Sequence, residues 1–256
     1  MARRAKITVP ERKTLYLYRH TYSGRSEVVR CMTSLMTPED IDEAEKFHRR
    51  ITRGLSRDIF VPTGKPDLDR LLGDEGIALG IWFEKKLICM RAIVTGEDWM
   101  NEILIKMGHE PDDDNKTAFT EHCIVDREFR GNNMQFLTHY RLENYLAERF
   151  DRILTTVAPV NVFSLDNIFA CNFVVTGLKE LYGGHLRYIM EKDYVSAVPI
   201  WTHGHLVIPR SNVEMQQQVL AQGYVGYKMI RKNRGFSILY APSSQEKPRT
   251  LKSKKD

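Results

Sequence analysis

The sequence has few cysteines and no long hydrophobic run. Only four cysteines occur among the 256 residues, Cys31, Cys89, Cys123 and Cys171, and no two of them form a Cys-x-x-Cys pair. This spacing argues against a zinc ribbon, an iron–sulfur cluster or a disulfide scaffold, and it favours a reducing cytoplasm. No apolar run approaches the roughly 20 residues of a membrane span, and none follows the basic start of the chain. We therefore expect neither a membrane anchor nor a signal peptide.

Residues that bind metals are not grouped either. The acidic run at residues 112–115 has no glycine where an EF-hand loop requires one. His203 and His205 could form half of a metal site, but no third ligand is evident nearby. The sequence therefore predicts no metal site.

Positive charge is concentrated at the two ends of the chain. Residues 1–30 carry a net charge of +6 and residues 228–256 a net charge of +7. Because the whole chain carries +5, the body between the ends carries −8. Basic ends can contact nucleic acid, but neither end interleaves aromatic residues with arginines as RNA-binding segments do. A nucleic-acid partner is therefore the weaker alternative, and the acidic body suits a cationic substrate.

Hydrophobic periodicity predicts an α/β (α+β) fold, in which antiparallel hairpins and a central strand–helix–strand–helix unit form a mixed sheet. Residues 96–116 show no clear periodicity and are predicted to be a loose segment. The predicted strands are 26–34, 76–83, 87–94, 117–125, 153–157, 188–195 and 236–240. The predicted helices are one that begins at Thr37-Pro38 and continues through Ile51, a short one opened by Pro66, and 133–150, 164–176 and 213–221.

The pattern predicts a single domain at residues 26–242. Its core is 27–195, and a helix–strand extension follows at 196–242. A basic N-terminal arm, 1–25, precedes the domain. A basic tail, 243–256, follows it and is expected to be disordered, because it lacks apolar anchors after Leu251.

The most informative stretch is EHCIVDREFRGNNMQ, from Glu121 to Gln135. It is predicted to be a strand, a loop and the start of a helix. Such a loop exposes backbone N–H groups at the positive end of the helix dipole, which suits a pyrophosphate. It is not a P-loop, because no Gly-Lys-Ser/Thr follows, and it is not a Rossmann fingerprint, because it contains one Gly.

A second stretch follows about 30 residues later, the length of one strand–helix–strand unit. The predicted strand 153–157 leads to Asn161 and Ser164, and either side chain could cap the next helix.

Together the two stretches resemble the GNAT superfamily of acyl-CoA-dependent N-acyltransferases. In that family a Val at a strand end precedes the signature Arg/Gln-x-x-Gly-x-Gly/Ala, and the next strand leads to an Asn-x-x-Ser segment. Here Val125 and Arg130 fill the first positions, Asn161 and Ser164 match directly, and Asn172-Phe173 stands for a Gly-Phe pair. The element order agrees over residues 27–195, so the resemblance implies a GNAT-like mixed, mainly antiparallel central sheet flanked by helices. The chain also resembles a bacterial subgroup with Tyr182-Gly-Gly-x-x-Arg187, whose substrates the resemblance does not supply.

Three positions depart from the family pattern. Asn133 stands where the family has its central Gly, and Gln135 stands where it has Gly or Ala. Because Asn tolerates left-handed backbone, we predict a positive φ at Asn133. Ile168 occupies the place of a Tyr that often protonates the leaving thiolate, so Tyr182 and His139 are the remaining candidates for that acid.

The resemblance implies transfer of an acetyl group from acetyl-CoA to an amine of a small molecule, peptide or protein by direct attack. Backbone groups of residues 123–125 would pair with the pantetheine amides. The implied CoA-binding residues are Cys123, Ile124, Val125, Arg130, Gly131, Asn132, Asn133, Met134, Gln135, Asn161, Ser164 and Asn167. The oligomeric state is left open between a monomer and a homodimer.

Direct attack requires a base, because an amine with a pKa near 10.4 is mostly protonated at neutral pH. Glu121 and His122 precede Val125 on its strand. Since adjacent strand residues face opposite sides, only one of them is expected to face the substrate. We predict Glu121 as the general base, with His122 as the alternative. Cys123 would lie close to the thioester, either as a small buried side chain or as an acyl carrier.

The missing Tyr and the altered signature also support a rival interpretation. In that interpretation the chain is a non-catalytic protein on the same fold, which binds CoA or a protein partner.

Overall fold

Eleven strands form one sheet with helices on both faces in a computed structural model, which describes residues 12–21, 23–112, 114–196, 205–232 and 235–243. The strands are β1 (Lys13–His20), β2 (Ser26–Leu35), β3 (Gly76–Phe83), β4 (Lys86–Val94), β5 (Thr117–Val125), β6 (Arg152–Val157), β7 (Val174–Leu181), β8 (His185–Asp193), β9 (Leu206–Pro209), β10 (Tyr224–Lys232) and β11 (Gly235–Pro242). The α-helices are α1 (Ile41–Thr52), α2 (Lys65–Leu72), α3 (Glu97–Met107), α4 (Met134–Ala147), α5 (Val162–Ala170) and α6 (Val213–Ala221).

The sheet is antiparallel except at its centre. Its strand order is β1-β2-β3-β4-β5-β6-β8-β7-β10-β11-β9, and β5 and β6 form the parallel pair. That pairing runs only from Thr117 opposite Arg152 to Thr120 opposite Thr155. Beyond those residues the two strands part, although β5 continues to Val125. The predicted mixed, mainly antiparallel sheet is confirmed, and the gap between β5 and β6 positions the site described below.

Apolar side chains cover both faces of the sheet. Ile93 of β4 packs with Leu142 of α4 and Leu165 of α5 on one face. Its neighbour Ala92 packs on the other face, with Phe47 of α1 and with residues of α2 and α3. Because strand residues alternate between the two sides, β4 is buried by helices on both of them. We call these the α4/α5 face and the α1–α3 face.

The segment predicted to be loose, 96–116, contains a helix instead. In α3 the buried residues Trp99, Met100, Leu104 and Met107 recur at helical spacing. Acidic residues occupy its first turn, and Gly108 ends it at a φ of 78°. These are ordinary helix boundary signals, so the sequence carried enough information to find this element.

The predicted helix 164–176 is wrong at its C-terminal end. The helix α5 ends at Ala170, and β7 begins at Val174. Between them Asn172 adopts a φ of 65°, which reverses the chain. Asn is among the few residues other than Gly that adopt this conformation readily, so it ends the helix here.

Part of the predicted N-terminal arm belongs to the sheet. The strand β1 pairs with β2 from Lys13 opposite Thr33 to His20 opposite Ser26. A half-buried strand usually alternates apolar and polar residues, but the run TLYLY does not, because its outward positions hold tyrosines. Tyr16 and Tyr18 are both exposed. The C-terminal extension likewise contains three strands instead of one. Residues 1–11, His203 and residues 244–256 lie outside the described ranges. None of the helices in those ranges is long and apolar enough to cross a membrane.

Candidate functional site

A cavity of about 670 Å³ lies where β5 and β6 part. Helices from both faces contribute to its wall, so the cavity connects the two sides of the sheet. The wall on the α4/α5 face includes Arg91, Cys123, Gln135, Asn161, Ser164 and Ile168. The wall on the α1–α3 face includes Phe60, Thr63, Asp67, Trp99, Ile103, Glu121, His122, Tyr182 and Arg187.

A β-bulge in β5 brings two candidate bases into this cavity. In the register with β4, Ala92 lies opposite His122 and Ile93 lies opposite Thr120, so Glu121 is the extra residue. A bulge interrupts the alternation of side chains. The Thr63 hydroxyl lies 3.2 Å from Glu121 Oε1 and 3.3 Å from His122 Nδ1. The expectation that only one of the two faces the cavity is therefore wrong.

The surroundings of the two side chains shift their pKa values in opposite senses. Burial raises the pKa of the Glu121 carboxyl, the Thr63 hydrogen bond opposes this, and the charge of Asp67 adds to it. Burial lowers the pKa of His122 to about 3, and the charges of His48 and Arg91 add to that effect. A carboxylate with a raised pKa is a stronger base, and an imidazole with a lowered pKa is a weaker one. The electrostatics favour Glu121 as the base.

The His122 ring is packed against other rings. Its centroid lies 5.2 Å from that of His48 and 6.2 Å from that of Phe60. Its Nε2 atom is buried and has no hydrogen-bond partner among the described residues. The imidazole is therefore neutral and helps to shape the wall beside Glu121.

Of the two candidate acids, Tyr182 lines the cavity. Its hydroxyl lies 3.0 Å from Thr156 Oγ1, and burial raises its pKa. His139 is buried in α4, where its Nε2 lies 2.7 Å from Glu143, and it is not part of the cavity wall. Ile168, at the position of the family Tyr, faces the same cavity. The geometry therefore favours Tyr182 over His139 as a proton donor.

The Tyr182-Gly-Gly-x-x-Arg187 motif shapes one rim of the cavity. Tyr182 and the two glycines turn the chain between β7 and β8, all three at positive φ. Arg187 donates hydrogen bonds to the carbonyl oxygens of Arg57, at 2.6 Å, and Asp58, at 3.0 Å. The motif therefore fastens the loop between α1 and α2, which supplies Phe60 and Thr63 to the wall.

The predicted signature loop, residues 130–133, connects a short 3-10 helix, Arg127–Phe129, to α4. Asn133 has a φ of 53° and a ψ of 29°, which confirms the predicted positive φ. Its side chain makes no capping hydrogen bond, so its amide does not stabilise the helix start.

Asn132 joins the signature loop to β1. Its Oδ1 accepts from the Tyr18 N–H at 2.8 Å, and its Nδ2 donates to the Tyr18 carbonyl at 2.7 Å. An ion pair of 2.7 Å between Arg19 and Glu128 supports the same contact. The Asn132 side chain is therefore engaged within the chain. Sequence reasoning missed this contact because it did not predict β1.

Gln135 occupies the free edge of β5. Its Nε2 donates to the Cys123 carbonyl at 3.1 Å, a backbone group predicted to pair with pantetheine. Its Oε1 is buried and has no partner in the described part of the chain. A Gly or Ala at this position would leave the Cys123 carbonyl without this hydrogen bond and free to accept one from a ligand.

The cavity wall contains only some of the predicted site residues: Glu121, His122, Cys123, Gln135, Asn161 and Ser164. The others lie outside the wall: Ile124, Val125, Arg130, Gly131, Asn132, Asn133, Met134 and Asn167. Ile124 and Met134 pack in hydrophobic clusters, and Asn167 Nδ2 donates to the Phe163 carbonyl of its own helix. Asn161 caps α5 by accepting from the Ser164 N–H at 3.2 Å, as one of the two capping predictions expected.

Sequence reasoning missed Thr63, Asp67, Trp99 and Arg91 as parts of the wall. The first three lie on segments far from β5 in the chain. Arg91 carried a signal, because it is the only charged residue in the apolar run LICMRAIV. Within the described ranges, no group of three or more His, Cys, Asp or Glu is placed to hold a metal ion.

No protein-family model matches the sequence, and no curated protein matches it. Similar folds are found among solved structures. An N-acetyltransferase from Staphylococcus aureus Mu50 aligns with a TM-score of 0.50 at 11% identity, over 65% of this chain and 99% of that one. The protein smu.2055 from Streptococcus mutans UA159 aligns with a TM-score of 0.50 at 13% identity, over 63% and 98%. A GNAT-family acetyltransferase from Streptococcus pneumoniae has a TM-score of 0.48, 16% identity and coverage of 64% and 98%.

Proposed function

Because the chain has the GNAT superfamily fold, we propose that it is an N-acyltransferase that moves an acyl group, acetyl in the simplest case, from acyl-CoA to an amine. The position of Glu121 carries this proposal. Its carboxylate lies in a cavity that joins the two faces of the sheet, and burial raises its pKa. A general base of this kind has the property that amine acylation requires.

The two faces of the cavity suit different substrates. The α1–α3 face offers Phe60, Trp99 and Ile103 together with the carboxylates of Asp67 and Glu121. An amine with an apolar body would be bound there, since the rings cover its body and the carboxylates attract its ammonium group. Acyl-CoA is therefore assigned to the α4/α5 face. The acceptor is therefore proposed to be a small molecule or a peptide side chain.

Glu121 would take a proton from the ammonium group, directly or through a water, while the Thr63 hydroxyl holds the carboxylate in place. The free amine then attacks the thioester carbonyl, the C–S bond breaks as the C–N bond forms, and the attacking nitrogen loses its second proton. The Tyr182 hydroxyl is the candidate donor of a proton to the departing thiolate, and it would regain a proton from that nitrogen through water.

The proposed CoA site begins at the signature loop. Backbone N–H groups of residues 130–133 and the N-terminus of α4 would bind the pyrophosphate, since both present positive partial charge. The positive φ of Gly131, at 86°, and of Asn133 gives the loop a tight turn there. The free edge of β5 at residues 123–125 would hold the pantetheine arm, with Asn161 and Ser164 across the gap.

Binding of CoA is expected to stabilise the fold. A ligand at ~100 times its Kd adds about 2.7 kcal/mol if it binds only the native state. For a protein of this size that corresponds to a rise in Tm of roughly 5–10 °C. Thermal unfolding with and without millimolar CoA measures the effect. Pantetheine alone, which lacks the pyrophosphate, should give a much smaller shift. An unchanged Tm in millimolar CoA would contradict the proposed function.

Two features favour a second function, that of a non-catalytic partner-binding protein. The Gln135 amide donates a hydrogen bond to the Cys123 carbonyl, which pantetheine would otherwise use. Ile168 stands where the GNAT superfamily often has a tyrosine as general acid. Both features are compatible with a chain that has lost CoA binding and retains the fold. In that case CoA would bind weakly or not at all, with or without Gln135.

Replacing Gln135 by Ala is expected to tighten CoA binding by about 3- to 10-fold, because a pantetheine N–H can then bond to the Cys123 carbonyl. The backbone carbonyl of residue 135 still accepts from Arg91, because the substitution changes only the side chain. Calorimetric titration of CoA measures the change. Gln217→Ala is the matched control, since Gln217 Nε2 donates to the Leu178 carbonyl at 3.0 Å away from the cavity wall. Weaker binding by Gln135→Ala would mean that the glutamine is part of the CoA site.

A further inference from the structure

Arg91 is a charged residue within a buried strand. Residues 87–94 of β4 are all buried, and Arg91 is 1% exposed. It lies opposite Cys123 in the sheet register and beneath the first turn of α4. A buried charge is costly unless an opposite charge and hydrogen bonds compensate for it. The Arg91 guanidinium therefore requires partners that compensate for its charge.

Both hydrogen bonds that Arg91 donates go to neutral groups. The pKa of the Cys123 thiol opposite Arg91 is lowered, first by a hydrogen bond with Cys89 and to a smaller extent by the charge of Arg91. The Nε atom of Arg91 donates to Thr138 Oγ1 at 3.0 Å, and its Nη2 donates to the Gln135 carbonyl at 2.6 Å. No salt bridge in the described ranges includes Arg91. A guanidinium has five N–H groups, so these two bonds leave most of its donors unused. Arg91 also lines the cavity, where a ligand can supply the missing acceptors.

The carboxylates of the cavity do not compensate for this charge. Asp67 and Glu121 belong to the α1–α3 wall, and Glu121 is engaged with Thr63. Arg91 lies on the opposite side, between β4 and α4, next to Cys123. The α4/α5 wall therefore carries the positive charge of Arg91, and the α1–α3 wall carries both signs: the carboxylates Asp67 and Glu121 and the cations Lys106 and Arg187.

We propose that Arg91 is an anion-binding residue at the acyl end of the cavity, and that it selects an acyl group ending in a carboxylate, of the succinyl type. The inference rests on the proposed acyltransferase function. A carboxylate supplies the missing counter-charge and can accept two parallel hydrogen bonds from a guanidinium. An acetyl group would leave the charge and the unused donors uncompensated.

The anion is assigned to the acyl group and not to the acceptor because of the position of Arg91. Arg91 lies opposite Cys123, at the β5 edge proposed for the pantetheine arm, whereas an acceptor on the α1–α3 wall would meet Asp67, Glu121, Lys106 and Arg187 instead. An acyl chain bound from the α4/α5 face reaches Arg91 without passing them.

The test compares two acyl-CoA molecules of equal size, succinyl-CoA and 4-methylpentanoyl-CoA, in which an isopropyl group replaces the carboxylate. Calorimetric titration into the wild-type chain should show succinyl-CoA binding about tenfold more tightly. Arg91→Met should abolish this preference while changing the affinity for free CoA less than threefold. Arg91→Lys keeps the charge and should retain part of the preference. Arg152→Met is a matched control, since Arg152 Nε donates to Thr117 at 2.9 Å outside the cavity wall.

Two results would overturn the inference. The first is equal affinity of the wild-type chain for both acyl-CoA molecules, which decides the matter even if Arg91→Met does not fold. The second is an equal loss of affinity for free CoA and both acyl-CoA molecules in a folded Arg91→Met variant, which would mean that Arg91 only supports α4. If the wild-type chain binds CoA without an acyl preference, this inference fails and the proposed function stands. If it binds none of the three, the proposed function fails as well.

Discussion

Replacing Glu121 by Gln is expected to lower turnover by about 100- to 10,000-fold, the usual cost of losing a general base. The substitution preserves the shape of the side chain, and the Gln carbonyl can still accept the Thr63 hydrogen bond. CoA affinity should therefore change little, because Glu121 lies on the acceptor side of the cavity. The measurement is CoA release on an amine acceptor, with CoA affinity determined separately by calorimetry.

The pH dependence gives an independent readout of the same residue. The base acts when it is deprotonated, so kcat/KM should rise with pH as the Glu121 carboxyl loses its proton. Because burial raises the pKa of Glu121, this rise should be centred above the ordinary glutamate value. The charge of Asp67 raises the pKa further, so Asp67→Asn should move the rise to lower pH. Thr63→Val should move it to higher pH, because the Thr63 hydrogen bond lowers the pKa.

Glu191→Gln is the matched control for Glu121→Gln. Burial also raises the pKa of Glu191, but this residue of β8 does not line the cavity. Turnover by the control should stay within about threefold of the wild type. A similarly small change in Glu121→Gln would exclude Glu121 as the base. His122→Gln would then test the alternative, although the lowered pKa of His122 makes a large effect there unexpected.

The sequence predicted the fold through local signals. Apolar alternation and short apolar runs located the central strands, and the stretch from Glu121 to Gln135 predicted the strand–loop–helix unit of β5 and α4. The element that the periodicity missed, α3, still carried an acidic start and a Gly end. The strand β1 was missed because exposed tyrosines conceal its alternation.

The cavity could be predicted only in part, because most of its wall is non-local. The bulge at Glu121 depends on the register between β4 and β5, which no short stretch of sequence encodes. Thr63 lies beside Glu121 on a loop that Arg187, more than a hundred residues later, fastens at residues 57 and 58. Signals of this kind belong to the tertiary structure. The Arg187 motif could be recognised in the sequence, but its role could not.

Substitution of Asn133 distinguishes two roles for the signature loop: binding the CoA pyrophosphate or only starting a helix. The φ of 53° at Asn133 is readily adopted by Gly, tolerated by Asn and strongly disfavoured for a β-branched residue. Its side chain makes no capping hydrogen bond, so Asn133→Gly removes no such contact. If the loop turn aims backbone N–H groups at the CoA pyrophosphate, Asn133→Gly should keep or slightly improve CoA binding. If Asn133 is only a polar residue at a helix start, substitution should change stability and leave CoA affinity unaffected.

Asn133→Val is expected to weaken CoA binding by about 10- to 100-fold, because strain of about 1–3 kcal/mol would move the loop. Asn172→Val is the matched control. It places the same residue at a φ of 65° after α5, where the cavity wall does not extend. The control should lose comparable stability and keep its CoA affinity, as measured by calorimetry on the folded fraction. Equal CoA affinities for Asn133→Gly and Asn133→Val would show that the backbone conformation of Asn133 does not shape the CoA site, and the pyrophosphate would then have to bind elsewhere.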